Sequence, residues 1–124
     1  MGYPGTTESF AVRFDLVSGR PEQFVAAAWV GDVIGGWTHA QTQVTLESDP
    51  HVQIVGLVVS ERHRRRGVGR ALVDSVIAWT RQLGHTTIRV RSNAARVEAH
   101  HFYPALGFAR TKTQHAYRLL VAGR

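Results

Sequence analysis

The segment from residue 51 to residue 91 constrains the fold of this chain more than any other. Residues 51–59 (HVQIVGLVV) form an almost continuous apolar run, which is typical of a strand buried inside a sheet. A helix follows in which apolar residues recur about one turn apart: Val68, Leu72, Val76, Trp79 and Leu83. Gly84 ends this helix, and residues 86–91 (TTIRVR) alternate as a second strand. The segment therefore predicts a parallel β-α-β unit.

The residues before this unit predict a helix and a hairpin. Thr6 or Thr7 can cap a short helix. Strands at 23–30 and 33–41 follow, joined by the turn residues Gly31-Asp32.

Two further expectations concern the interiors of these strands. The pair Gly35-Gly36 predicts a bulge or a close approach of two backbones. In the buried strand, alternation places one set of residues on one face, namely Val52, Ile54 and Gly56, and a second set on the other, namely Gln53, Val55 and Leu57.

After residue 91 we expect a helix over about 95–106 and a last strand or bent hairpin that runs to Val121. The element order α-β-β-β-α-β-α-β predicts one α/β (α+β) domain over residues 1–124. Its sheet is mixed and mostly antiparallel, with a central parallel β-α-β unit and flanking helices.

Composition excludes several classes of protein. The chain has 124 residues, of which 44% are hydrophobic and 19% charged, and this suits one soluble domain with its own core. It has no cysteine, which excludes a disulfide framework, a Cys-ligated metal and a thiol nucleophile. No apolar run approaches the roughly 18 residues of a membrane span. We therefore expect a cytoplasmic protein with no membrane partner.

Charge is distributed unevenly along the chain. Residues 1–57 carry two arginines and six acidic residues, a net −4. Residues 58–124 carry twelve arginines, one lysine and three acidic residues, a net +10. The second half is therefore expected to meet a polyanion, either nucleic acid or a phosphorylated cofactor.

The loop SERHRRRGVGR, between the buried strand and the helix, has the features of an anion site. The first N–H groups of a helix lack intrahelical partners, and the helix dipole favours negative charge there. A Walker A loop needs Gly-Lys-Ser/Thr, but Gly69 is followed by Arg70. A dinucleotide loop needs a third glycine where Leu72 stands. The pattern that remains is Arg64-x-x-Gly67-x-Gly69.

This pattern resembles motif A of the GNAT N-acetyltransferase family, in which a Q/R-x-x-G-x-G/A loop holds the pyrophosphate of acetyl-coenzyme A. Residues 92–108 (SNAARVEAHHFYPALGF) resemble the second family signature, a helix that bears Ala-x-x-Phe-Tyr and ends in Leu-Gly-Phe. The matching residues are Asn93, Ala99, Phe102, Tyr103, Leu106, Gly107 and Phe108. The resemblance covers about residues 23–121. It implies a GNAT-like fold and an enzyme that transfers acetyl from acetyl-coenzyme A without a metal.

The resemblance also implies roles for particular residues. Backbone groups of Val58 and Val59, where the strand end splays open, would pair with the pantetheine arm and face the thioester oxygen, and Asn93 would bind the pantetheine. The pyrophosphate would be held by the amides and guanidinium groups of the loop, which comprise Arg64, Arg65, Arg66, Gly67, Val68, Gly69 and Arg70. Tyr103 would protonate the departing thiolate. The alternative for Tyr103 is a core residue with its hydroxyl bonded to backbone.

The general base is not determined by the pattern. Relatives place a carboxylate at a position that Gln53 occupies here, and a glutamine cannot accept a proton. His39 and His51 are possible substitutes, directly or through a water, because histidine is the side chain that most readily accepts a proton near neutral pH. Each is nevertheless expected to be a surface histidine. His100 and His101 diverge by about 100° on a helix and do not predict a zinc site.

The acceptor is expected to be a primary amine of a cationic small molecule or peptide, because the half that would form the acceptor side is net −4. The resemblance implies a strand and a helix before the part that resembles residues 3–18. We expect this chain to lack that unit, either because the sequence starts late or because the protein is a trimmed version. Strand 23–30 would then be an exposed edge, for which we expect a homodimer.

Two other functions compete with this one. A coenzyme A-binding module with weak or no catalysis is consistent with Gln53 and with the absent β-α unit. A nucleic-acid surface has little support, because no stacking aromatic residues are interleaved with the arginines.

Overall fold

The structure, a computed structural model, describes residues 7–91, 102–112 and 114–121. The chain divides into two compact units, Met1–Arg91 and Ser92–Arg124, and each is described separately. None of the helices in the described ranges combines the length and the apolar content that crossing a membrane requires.

The first unit contains one mixed sheet and two α-helices in its described part. The elements are α1 (Thr7–Val17), β1 (Gln23–Val30), β2 (Val33–Gln43), β3 (His51–Val59), a 3-10 turn (Glu61–His63), α2 (Val68–Gln82) and β4 (Ile88–Val90). The strand order is β1-β2-β3-β4. The first three strands pair antiparallel, and β4 pairs parallel to β3. The predicted mixed sheet with its central β-α-β unit is therefore confirmed.

Helix α2 packs on one face of this sheet, against β1, β2 and β3. Its apolar residues recur at the helical period and so face the sheet together. The core consists of residues that are at most 7% exposed: Ala40, Val52, Ile54, Val68, Leu72, Val73 and Val76. Near the end of α2, the Trp79 ring stacks on Phe24 of β1 with centroids 5.1 Å apart. Burial of these side chains fixes α2, and hence its first turn, relative to the sheet.

The pair Gly35-Gly36 produces both features that the sequence predicted. The β1–β2 register shifts by one residue between Ala28 and Trp29, which makes Gly35 an extra residue in β2. A Cβ on Gly36 would lie 2.6 Å from the Val58 carbonyl oxygen, closer than real Cβ atoms come to such an atom. The absence of a side chain at Gly36 therefore permits the close approach of β2 to β3.

A second bulge lies in β3 and was not predicted. Ile54 pairs with Ala40, but the next pair along β2 joins His39 to Gly56. Val55 is therefore an extra residue in β3, where it is exposed. A bulge of this kind increases the local twist and bends the strand.

This bulge reverses the faces predicted for the end of β3. Directly paired residues share a face, so Leu57 lies on the α2 side with its partner Thr38, which is fully buried. Gly56 lies on the opposite side, where a Cβ would approach the Trp37 ring to 2.9 Å. The prediction that Gly56 shares the face of Ile54 is therefore wrong, because one inserted residue inverts the alternation beyond it.

The second unit contains a helical segment at 102–105. The N–H groups of Leu106 and Phe108 donate to the Tyr103 carbonyl at 3.0 and 3.1 Å, and Gly107 adopts a φ of 98° at the helix end. The helix was predicted to begin near residue 95, which lies outside the described residues.

The last strand predicted from the sequence is wrong, because residues 108–112 and 114–121 contain no strand. A strand forms where its backbone groups find partners and one face is buried. Leu119, Leu120 and Val121 are instead 65 to 72% exposed, so this apolar run buries no face.

Candidate functional site

The loop from Ser60 to Gly67 joins the end of β3 to the start of α2. The Ser60 N–H donates to the Gly35 carbonyl of β2 at 2.9 Å, and the Ser60 hydroxyl pairs with His63 Nδ1 at 2.7 Å. The His63 N–H donates back to the Ser60 carbonyl at 3.0 Å. These bonds anchor the start of the loop to the sheet. They therefore fix the position at which the arginine segment begins.

The backbone of the loop alternates in the sign of φ. Arg64 has a φ of −67° and Gly67 a φ of 79°, and between them Arg65 adopts a φ of 64° while Arg66 stays negative. Alternation of this kind turns successive N–H groups toward one side and forms an anion-binding concavity, or nest. Among the described residues, Arg65 alone has a left-handed backbone without being glycine. A strained residue of this kind is typical of a functional loop.

The amides at the start of α2 face the same gap. The first intrahelical bond runs from the Ala71 N–H to the Gly67 carbonyl at 3.0 Å, so the N–H groups of Val68, Gly69 and Arg70 precede it. Gly67 provides no side-chain cap, and a Cβ placed there would meet nothing within 4 Å. The helix dipole favours an anion at this open end.

Charge at this end of the helix is positive. Three loop arginines, Arg64, Arg65 and Arg66, and Arg70 in the first turn of α2 are exposed. The first turn of α2 contains no acidic residue. The Arg64 Nε donates to the Val59 carbonyl at 3.4 Å, which holds that guanidinium beside the end of β3. The nest, the helix start and the arginines together can bind a phosphate or pyrophosphate.

The end of β3 is open along the edge that faces β4. The parallel pairing with β4 covers only Val52, Gln53 and Ile54, and β4 itself is shorter than the predicted strand at 86–91. In the described part of the chain, residues 56–59 pair with β2 alone, and the bulged Val55 pairs with neither strand. Val58 and Val59 are half-buried within this stretch. A strand end with one open edge can hydrogen-bond an extended ligand as an added strand would.

The predicted site residues fall into three groups. Val58, Val59 and the loop from Arg64 to Arg70 lie together, since the loop continues directly from the strand end. Asn93 lies outside the described residues, as do His100 and His101. In the first and second units, the described residues include no group of three His, Asp or Glu side chains suited to a metal.

Tyr103 belongs to the second unit and is half-buried between two aromatic rings. Its ring meets Phe102 and Phe108 edge to face, with centroids 5.0 and 5.6 Å apart. Edge-to-face packing of this kind fixes the orientation of the phenol ring.

The face of the sheet opposite α2 carries a polar network on β1 and β2. His39 Nε2 lies 2.6 Å from Gln23 Oε1, and Gln23 Nε2 donates to Gln41 Oε1 at 3.3 Å. Burial lowers the pKa of His39 from its ordinary value of 6.5, because desolvation penalises the imidazolium. The sequence did not identify Gln23 and Gln41 as members of this hydrogen-bond network. The alternation of Trp37, His39 and Gln41 along β2, which places all three on one face, was the pattern that could have indicated it.

His51 is buried, whereas His39 is half-buried. His51 is 4% exposed, and its Nδ1–H donates to the Asp49 carbonyl at 3.0 Å. The expectation of a surface histidine is therefore wrong for His51, because the start of β3 is covered.

Comparison with known proteins identifies the family to which this architecture is related. The model of the acetyltransferase (GNAT) family matches residues 1–108. The aminoglycoside N(6')-acetyltransferase type 1 of Serratia marcescens is 32% identical over 72 residues, which are 58% of this chain and 49% of that protein. The enzyme of the same name from Stenotrophomonas maltophilia is 33% identical over 100 residues, which are 77% of this chain and 65% of that protein. The chain thus spans about half of the length of the first relative and just under two thirds of the second.

A solved structure shows the same fold. Aminoglycoside N-acetyltransferase AAC(6')-Iy, in complex with the bisubstrate analogue CoA-S-monomethyl-acetylneamine, matches with a TM-score of 0.83 at 21% identity. The match covers 96% of this chain and 82% of that one.

Proposed function

The chain belongs to the acetyltransferase (GNAT) family, and we propose that it transfers an acetyl group from acetyl-coenzyme A to a primary amine of a cationic small molecule. The observation that carries the proposal is the open, positively charged start of α2. There the nest at Arg64–Gly67 is continuous with the end of β3, whose edge toward β4 is open. A pyrophosphate at the nest and an extended pantetheine arm along β3 would suit these two neighbouring features.

The donor, when bound, supplies the acetyl group as a thioester. The chain's own residues hold it: the amides of Val68, Gly69 and Arg70 and the loop guanidinium groups bind the pyrophosphate. The backbone of Val58 and Val59 binds the arm and offers an N–H toward the thioester oxygen. In this proposal Asn93 adds a further hydrogen bond to the arm.

The acceptor class follows from charge and from the relatives. An aminoglycoside-like amino sugar carries several ammonium groups, and the half of the chain before residue 58 is net −4. The two curated relatives are named for acetylation of an aminoglycoside at the 6'-nitrogen. We therefore place amino sugars first among acceptors, ahead of polyamines and peptide amines.

A panel assay tests the proposal. The purified chain is mixed with acetyl-coenzyme A and one amine at a time, and release of free thiol is followed together with the mass of the acceptor. We expect thiol release that depends on an amino sugar and gives a mono-acetylated product. If no amine in the panel raises thiol release above that of the donor alone, the proposal is wrong.

Tyr103 is proposed as the general acid that protonates the departing thiolate. Replacing it in Tyr103→Phe keeps the aromatic packing against Phe102 and Phe108 and removes only the hydroxyl. We expect kcat to fall by about 10²-fold with little change in the affinity for acetyl-coenzyme A. The matched control is Tyr117→Phe, at a tyrosine that is 94% exposed, which should leave kcat unchanged. Full turnover by Tyr103→Phe would remove Tyr103 from the mechanism.

A coenzyme A-binding module without catalysis is the second candidate. The observation that favours it is Gln53 on β3, a residue that cannot accept a proton at the position where relatives are expected to place a base. Tight binding of acetyl-coenzyme A in calorimetry, with no thiol release for any amine, would favour this function over catalysis.

A further inference from the structure

Building on the proposed function, we infer that His39 is the general base, accepting a proton from the acceptor amine at Nδ1, directly or through one water. Three features of the structure support this assignment: the face on which His39 lies, the hydrogen bond that fixes its tautomer, and the charges around it.

His39 lies on the same face of the sheet as Gln53, the position at which a carboxylate base is expected. Ala40 faces α2 in the core, so the neighbouring His39 points to the opposite side, as does Gln41. Gln41 pairs with Gln53, and paired residues share a face. His39 therefore stands two residues along β2 from the level of Gln53, on the same face and toward the open end of β3. A histidine on the adjacent strand can replace a carboxylate at Gln53.

The tautomer of His39 is fixed by its neighbour. An amide oxygen can only accept, so the 2.6 Å contact with Gln23 Oε1 requires the hydrogen on Nε2. Gln23 is held in that orientation by the bond from its Nε2 to Gln41 Oε1. The lone pair of the neutral ring is therefore on Nδ1.

Nδ1 is accessible to a proton donor. Within the described residues, His39 makes no hydrogen bond other than the one at Nε2. No buried side-chain nitrogen or oxygen in the described ranges lacks a partner. Nδ1 therefore keeps some exposure to solvent, and a water can reach it.

The surroundings of His39 keep the ring neutral. The residues facing it from β1 and β3 are uncharged, namely Gln23, Val25, Ala27, Gln53, Gly56 and Val58. On β4, Arg89 pairs with Gln53 on the same face, and its side chain is exposed. Together with the lowered pKa of His39, these neighbours leave Nδ1 free to accept a proton at neutral pH.

The acceptor ammonium gives one proton to His39 Nδ1, and the freed lone pair forms the C–N bond while the C–S bond breaks. As the C–S bond breaks, the departing thiolate takes a proton from the Tyr103 hydroxyl, the proposed acid. The second proton lost by the nitrogen returns to the Tyr103 phenolate, so that Tyr103 ends the cycle protonated. His39 then releases its proton to water, so that the reaction of one ammonium yields one amide, one thiol and one free proton.

The test is a pH profile of kcat at saturating donor and acceptor. In the wild type we expect an acidic limb with a midpoint below 6.5, since activity requires neutral His39. His39→Gln should lower kcat about 10²-fold, lose that limb and keep the affinity for acetyl-coenzyme A. The matched control is His85→Gln, in the turn after α2, which should match the wild type.

The variant Gln23→Glu distinguishes a catalytic role of His39 as a base from a purely structural role. A carboxylate at Gln23 would still accept the Nε2–H, but it would stabilise the imidazolium and raise the pKa of His39. The acidic limb should then move to higher pH. An unmoved limb in Gln23→Glu, or wild-type kcat in His39→Gln, would overturn the assignment.

Nuclear magnetic resonance of the wild-type chain gives a readout that does not depend on turnover. Ring nitrogen shifts should show the Nε2–H tautomer and a titration midpoint below 6.5. A protonated ring at neutral pH, or the Nδ1–H tautomer, would contradict the inference. If these spectra agree but no amine is acetylated, the proposed function fails while the described state of His39 stands.

Discussion

Two left-handed residues, Arg65 and Gly67, shape the proposed anion site. At Arg65 the conformation costs about 1–2 kcal/mol, since its Cβ crowds the following carbonyl. At Gly67 there is no Cβ, and the space where one would stand is open. The backbone thus offers its N–H groups to a ligand at the point where a side chain would block them.

Gly67→Ala and Gly84→Ala form a matched pair that tests this role. Their φ values are 79° and 81°, and neither would bring a Cβ within 4 Å of another atom. Each substitution should lower the free energy of unfolding by about 1 kcal/mol in urea titrations. Only Gly67→Ala, at the first turn of α2, should also weaken acetyl-coenzyme A binding, by up to about tenfold in calorimetry. Equal binding by the two variants would exclude the pyrophosphate from this turn.

At the scale of elements, the approach of β2 to β3 beneath α2 depends on Gly36. In Gly36→Ala the new Cβ would meet the backbone oxygen of Val58, which cannot move without shifting the strand end. We expect a loss of about 2–3 kcal/mol in unfolding free energy and weaker donor binding. Gly56→Ala is the comparison, because its Cβ would meet the Trp37 ring, a side chain that can turn aside. A larger loss for Gly56→Ala would contradict this view of the packing.

The helices and strands differ in how well the sequence predicts them. Apolar periodicity predicted α2, β1, β2 and β3 because burial of one face leaves a regular pattern. It did not predict the bulge at Val55, since an inserted residue depends on pairing with β2 and leaves no composition signal. A last strand or bent hairpin was predicted to follow Gly107-Phe108, but a strand also requires a partner, and the described residues of the segment to Val121 form no strand.

The candidate site also has one part that the sequence predicts and one part that it does not. The anion loop was predictable because Arg64, Gly67 and Gly69 are neighbours in the chain and act through local backbone geometry. The network around His39 was not, because it depends on the register of two strands. The Gly31-Asp32 turn suggests one register, and the bulge at Gly35 shifts it so that Gln23 comes opposite Gln41.

At the scale of the whole molecule, β1 is the outer strand of the described sheet and carries Trp29, which is 66% exposed. An unpaired edge with an exposed aromatic residue favours pairing with a second copy, and the homodimer stays a prediction. Sedimentation at micromolar concentration should show a dimer for the wild type and a monomer for Trp29→Lys. The control Val44→Lys, at an exposed apolar residue outside β1, should remain dimeric. A monomeric wild type would contradict the prediction.

The proposed function depends on where acetyl-coenzyme A binds. The most direct measurement is the position of the pyrophosphate in a crystal structure of the complex with acetyl-coenzyme A. We predict phosphate oxygens within hydrogen-bond distance of the amides of Val68, Gly69 and Arg70, with the pantetheine arm running along the open edge of β3 at Val58 and Val59. Pyrophosphate bound away from the Arg64–Arg70 loop, or an arm that does not contact β3, would contradict the proposed site.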